Sequence, residues 1–140
     1  MIVIDTSVVL AFMNRRDSAH EAVSEWMGAA EGLFVTTPLA VAEMDHLILA
    51  RGGPAAAAAL HEDLQAGAYE ARWWPGAIEQ SITIARRYAS LGLSLTDASL
   101  VALAREVRTT QIATLDERNF RAIRPLSGED AYVLLPADAG

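Results

Sequence analysis

Four acidic residues stand where a soluble protein rarely leaves a charge. Asp5 closes the apolar run "MIVI", and Asp116 directly follows "QIATL". Glu43 lies in "PLAVAEMDHLILA", sharing one helical face with Ala40, Leu47 and Ala50 by the i, i+3, i+4, i+7 rule. Asp97, in "SLTDASLVALAREV", shares a face with Leu100, Val101 and Ala104 in the same way. A charge on an apolar stripe is costly unless it is paired or bound to metal. Several carboxylates converging in a partly buried place need a counter-charge, and the chain has no lysine to supply one. A divalent cation would. Oxygen ligands in a chain without cysteine favour a hard ion, Mg²⁺ or Mn²⁺. Such an ion activates water, polarises a phosphate and stabilises a leaving oxygen, which is phosphoryl chemistry that needs no protein nucleophile.

Each acid also has a plainer reading. Asp5, Asp97 and Asp116 could each be a helix N-cap, but Glu43, inside a helix, has no such role open to it. Asp45, two residues from Glu43, points to another helix face. His20, His46 and His61 lack ligand spacing to one another and read as structural or surface residues. Trp73-Trp74-Pro75 reads as a strand end closing on the core rather than a platform for a base.

The acids must be positioned by an alternation of strands and helices. Apolar strands are expected at residues 2–4, in "LFVTT", "YEARWW", "QIATL" and "AYVLL". Helices are expected in "TSVVLAFMN", in "DSAHEAVSEWMGAA" with a Ser18–Glu21 capping box, and in "PLAVAEMDHLILA", which Gly52-Gly53 stops. Pro54 restarts the chain into an alanine-rich helix, followed by helices in "PGAIEQSITIARRYASLG" and "SLTDASLVALAREV" and a short one in "DERNFRAI". The tail "PADAG" reads as frayed. This order implies an α/β fold, a mainly parallel sheet flanked by helices, in a single domain over residues 1–140. The carboxyl ends of parallel strands share one edge, where Asp5 and Asp116 would meet Glu43 in the second turn of its helix and Asp97 at the start of its own.

The hydrophobic fraction of 52% fits a compact protein with apolar surface for a partner, and argues against disorder. No signal peptide or bilayer-length apolar run is evident, so a cytoplasmic protein without a membrane segment is expected. A net charge of −7 argues against a broad basic nucleic-acid face, yet all 11 basic residues are arginines, suited to phosphate. Arg15, Arg16, Arg118, Arg121 and Arg124 are the candidates for phosphate contact, against the alternative of a solvated face.

The segments "VIDTSVVL", "PLAVAEMDHLI", "LSLTDASLVALA" and "IATLDERNF" together resemble a PIN domain, and more closely the VapC-type toxin ribonucleases of bacterial toxin–antitoxin pairs. They occur in the family's order and span nearly the whole chain. The resemblance implies a three-layer α/β/α fold and metal-dependent cleavage of RNA. It makes Asp5, Glu43, Asp97 and Asp116 the acidic quartet, with Asp5 and Asp97 nearest the metal. Thr6 or Ser7 would offer a hydroxyl to the metal-bound water or a carboxylate, and Asn119 would help fix the Asp116 loop. It also implies a homodimer, and a VapB-type antitoxin covering the acidic pocket. A response-regulator receiver would need a lysine after a late strand, and a haloacid-dehalogenase phosphatase an aspartate where Ser7 stands. The non-enzymatic alternative is a PIN-like module that binds RNA or protein without cleaving.

Overall fold

Short apolar segments buried on both faces pair as parallel strands, and amphipathic segments return between them as helices. The computed structural model describes residues 1–140. Its strands are β1 (Ile2–Ile4), β2 (Phe34–Thr36), β3 (Glu70–Ala71), β4 (Gln111–Ala113) and β5 (Val133–Leu135). The helices are α1 (Thr6–Met13), α2 (His20–Ala29), α3 (Pro38–Gln65), α4 (Ala77–Arg87), α5 (Leu95–Glu106) and α6 (Glu117–Arg121). The five strands form one wholly parallel sheet in the order β3-β2-β1-β4-β5. The expected α/β architecture is present, with β1 at its centre.

Every residue of β1 is buried, as are Val8, Val9 and Ala11 of α1. In α5 the whole run from Ala98 to Ala104 is buried. A helix apolar on all sides must be enclosed, and α5 is packed by α3, α4 and β1. It therefore ties the sheet to the helices that carry the acids.

α3 is two helical segments joined at a break. Gly53 takes φ 82°, ψ −179°, a conformation essentially closed to other residues, and Pro54 follows it. The glycine pair stops the first segment as expected, and the proline restarts the chain in a new direction.

Three local expectations fail. α2 begins at His20 with Ala19 as N-cap and no side-chain cap, so the Ser18–Glu21 box does not form. Asp17 instead accepts the Ala19 N–H at 2.8 Å in a turn of its own. Of "YEARWW" only Glu70–Ala71 joins the sheet; Trp73 is 40% exposed, and Trp74 donates its indole N–H to Gln80 Oε1 at 3.1 Å. The tail is anchored, not frayed. Asp138 accepts from Arg121 Nη2 at 2.8 Å and from the Leu134 N–H at 2.8 Å.

An added Cβ at Gly53 would meet nothing within 4 Å, so substitution there reports backbone conformation alone. Gly53→Ala is expected to lower stability by about 1–3 kcal/mol. Gly28→Ala, in helical backbone with equally open space, should raise it by about 0.5–1 kcal/mol. Urea unfolding of the two variants beside the parent chain tests the pair, and equal effects would refute the assignment of strain to Gly53.

Candidate functional site

The chain leaves β1 at Ile4 and enters α1 at Thr6, so Asp5 stands at the carboxyl end of the central strand. The sheet order reverses here, with β2 and β3 on one side of β1 and β4 and β5 on the other. A parallel sheet opens a crevice beyond its strand ends at such a reversal. The Asp5 N–H donates to the Ala113 carbonyl at 2.9 Å, which joins the two strand ends at its floor.

Asp5 is only 5% exposed. Ser7 Oγ and Thr114 Oγ1 both donate to its Oδ2, at 2.9 and 2.8 Å. Although Asp5 occupies the N-cap position of α1, its side chain makes no cap bond. Thr6, the other hydroxyl candidate, turns away and donates to the Ala40 carbonyl at 3.5 Å. Capping does not explain Asp97 either. Ser94 is the N-cap of α5, its Oγ accepting the Asp97 N–H at 3.0 Å, and the Asp97 carboxylate is left half-buried. Asp116 does cap α6: its carboxylate accepts the Asn119 N–H at 3.3 Å and Asn119 Nδ2 at 2.9 Å.

Glu43 is half-buried in the second turn of α3. The buried stripe of that turn is Ala40, Met44 and Ile48, with Leu47 half-buried and Ala50 exposed. Glu43 thus borders the core face rather than continuing it, a position from which a long side chain reaches an edge. The Thr37 and Ser99 hydroxyls, buried and 2.8 Å apart, fasten the start of α3 to that of α5. Thr37 also caps α3 by accepting the Ala40 N–H at 3.3 Å, and Ser99 donates to the Thr96 carbonyl at 2.6 Å. The helices bearing Glu43 and Asp97 are therefore linked directly at their starts.

The four acids stand near enough for their charges to act on one another. Burial pushes the Asp97 carboxyl up to about 7, and the charges of Asp5, Asp116 and Glu43 add to the rise. Burial also raises Asp5, against the Thr114 and Ser7 hydrogen bonds, with Glu43 contributing. No cation relieves them. The protein's four ion pairs are His61–Asp45, Arg72–Glu70, Arg121–Glu117 and Arg121–Asp138, and none includes an acid of the quartet. No three acids close into a compact ligand cluster. The donors are oxygen alone and their charge is uncompensated, which fits a hard divalent ion better than a soft one.

Arg15, Arg16, Arg118 and Arg124 are exposed. Arg121 is held by Glu117 and Asp138, which ties α6 to the C-terminal tail. His61 is engaged by Asp45 at 2.6 Å, and His20 Nδ1 lies 2.9 Å from the Ala11 carbonyl. Sequence reasoning overlooked Thr114, Thr37, Ser99 and Ser94. Ser94 and Thr37 carried local signals, the spacing Ser94-x-x-Asp97 and the pair Thr37-Pro38 at helix starts.

Residues 2–125 match the PIN domain family. Ribonuclease VapC26 of Mycobacterium tuberculosis is 38% identical over 128 residues, covering 91% of this chain and 95% of the relative. The chain belongs to the PIN-domain family. Within it, the likeness is to the VapC type. Among solved structures, Mycobacterium tuberculosis VapC20, described as a toxin cleaving the sarcin-ricin loop, superposes with TM-score 0.75 at 21% identity, over 80% of this chain and 87% of its own. FitAcB from Neisseria gonorrhoeae gives TM-score 0.56 at 21% identity, over 84% and 88%. Those two likenesses concern the fold. The matched PIN segment holds all four acids and ends before β5.

The raised Asp97 value has a defined sign for stability. Unfolded, the carboxyl titrates near 3.8; folded, near 7. Its contribution is therefore full below about pH 4 and is lost as pH rises through about 7. In EDTA, the melting temperature should fall over that window more steeply for the parent chain than for Asp97→Asn. The variant should be the more stable of the two at pH 8. Thermal melts across pH 4.5–8 test this, and parallel curves would refute it.

Proposed function

We propose that this PIN-domain protein is an endoribonuclease toxin that depends on Mg²⁺ or Mn²⁺ and is held inactive by a VapB-type antitoxin. The observation that carries the reading is the uncompensated set of Asp5, Glu43, Asp97 and Asp116, whose charges act on one another with no basic partner. The likeness to Ribonuclease VapC26 supports RNA as the substrate. When bound, a divalent cation would supply an activated water and polarise the scissile phosphate.

The chain's own residues hold and orient. Asp5 and Asp97 are the nearest ligands in this reading, because both are pushed upward by burial and gain most from an added positive charge. Asp97 would release its proton as the ion binds. Glu43 and Asp116 act at the rim, directly or through water, with Asp116 steadied by Asn119. Exposed Arg15, Arg16, Arg118 and Arg124 could meet flanking phosphates, while Arg121 is spent on the tail. Exposed apolar side chains, among them Leu49, Trp73, Ile78 and Leu95, offer surface to an antitoxin or to a second copy in a homodimer. No helix is long and apolar enough to cross a membrane, and we read the protein as one cytoplasmic domain.

Purified protein should cleave total RNA with Mn²⁺ or Mg²⁺ and stop in EDTA. Asp5→Asn should abolish cleavage without lowering the melting temperature, whereas Asp45→Asn, on the far pair with His61, should leave cleavage unchanged. Cleavage that persists in EDTA, or that survives Asp5→Asn, overturns the mechanism. Binding of RNA without cleavage under any metal would favour the non-catalytic module instead.

A further inference from the structure

The two hydroxyl contacts to Asp5 form a more specific device than simple satisfaction of a buried acid. Both end on the same oxygen, Oδ2. No side chain donates to Oδ1. Each hydroxyl, having donated to Asp5, accepts a backbone N–H from the loop between β4 and α6. Thr114 Oγ1 takes the Asp116 N–H at 3.0 Å, and Ser7 Oγ takes the Leu115 N–H at 3.0 Å. A hydroxyl has one proton to give and lone pairs to receive, so each both donates and accepts here, at distances normal for such bonds. Thr114 is 1% exposed, which leaves water no access to replace it.

We propose that Thr114 and Ser7 are positioning residues that together clasp the Asp116 loop to Asp5. The clasp sets the separation of two acids from opposite sides of the sheet reversal and occupies Oδ2 of Asp5, so that Oδ1 is the oxygen without a side-chain donor. The inference rests on the metal-dependent reading above and assigns Thr114 a role beyond packing. A hydrogen-bond donor to one carboxylate oxygen fixes the plane of the group and so the direction of the other oxygen. Partners of this kind typically change metal affinity or activity about 10–100-fold when removed. The backbone bond from the Thr114 N–H to the Leu135 carbonyl is the last to β5, and beyond it the N–H groups of the exposed Leu115 and of Asp116 are met by the same hydroxyls.

The test is Mn²⁺ binding measured by titration calorimetry on the intact chain, with RNA cleavage and melting temperature recorded beside it. Thr114→Val keeps shape and removes the hydroxyl; Thr114→Ser keeps the hydroxyl and removes the methyl; Ser7→Ala opens the other arm. Expected are an affinity loss of about tenfold or more in Thr114→Val, a smaller loss in Ser7→Ala, and near-parent affinity in Thr114→Ser. Cleavage should fall through kcat with the RNA KM held. If Thr114→Val fails to fold, the Ser7→Ala and Thr114→Ser results decide between clasp and packing. Unchanged Mn²⁺ affinity in folded Thr114→Val, or a loss in Thr114→Ser matching its loss of melting temperature, overturns the clasp while leaving the metal reading intact. A parent chain that binds no Mn²⁺ and cleaves RNA in EDTA overturns both.

Discussion

Asp5 is a buried carboxylate at the end of the central strand, and much of the structure answers to that constraint. Removing an ionised carboxylate from water without a partner is among the costliest things a fold can do. No arginine approaches it. Two hydroxyls and the strand-end backbone offset part of the cost, and burial still raises its affinity for a proton. The remainder is a strained carboxylate that takes a proton more readily than a free one, and burial with the charges of Asp5, Asp116 and Glu43 strains Asp97 in the same way.

The scaffold around that carboxylate is fastened by specific hydrogen bonds. β1 and β4 are joined beyond their last ladder pair by the Asp5 N–H and by the two hydroxyls. α3 and α5 are joined at their starts by Thr37 and Ser99. Like charges held near one another push apart, so each element needs a fastening of its own. The fastenings are neutral hydroxyls, which join backbone segments without supplying the positive charge that would fill the site.

Legibility in the sequence followed the range of the interactions. Strand and helix alternation, the Gly52-Gly53-Pro54 break and the strand-end aspartates are local patterns, and the sheet formed from them as read. The Ser18–Glu21 box matched a motif, but the chain turned through Asp17 and started α2 one residue too late for it. "YEARWW" alternated like a strand, yet only Glu70 and Ala71 found a partner in β2. Glu43 was placed on an apolar stripe that in fact runs through its neighbour Met44. Thr114 was invisible for another reason. Its partner Asp5 is 109 residues away, and a threonine after a strand carries no periodic signal.

Net charge looked at first like an argument against a nucleic-acid substrate. A protein that binds RNA through a basic face draws affinity from released counterions. On the proposed reading four of the 18 acidic side chains would face a bound cation rather than RNA. The rest are spread over a surface that also carries unpaired arginines, among them Arg118 one residue beyond α6's first and Arg124 just past its last turn. Attraction would then be local, with the phosphate drawn to the ion and to a few guanidinium groups beside it. On the proposed reading an acidic chain can be selective, because RNA would be held only where a cation had already neutralised the carboxylates.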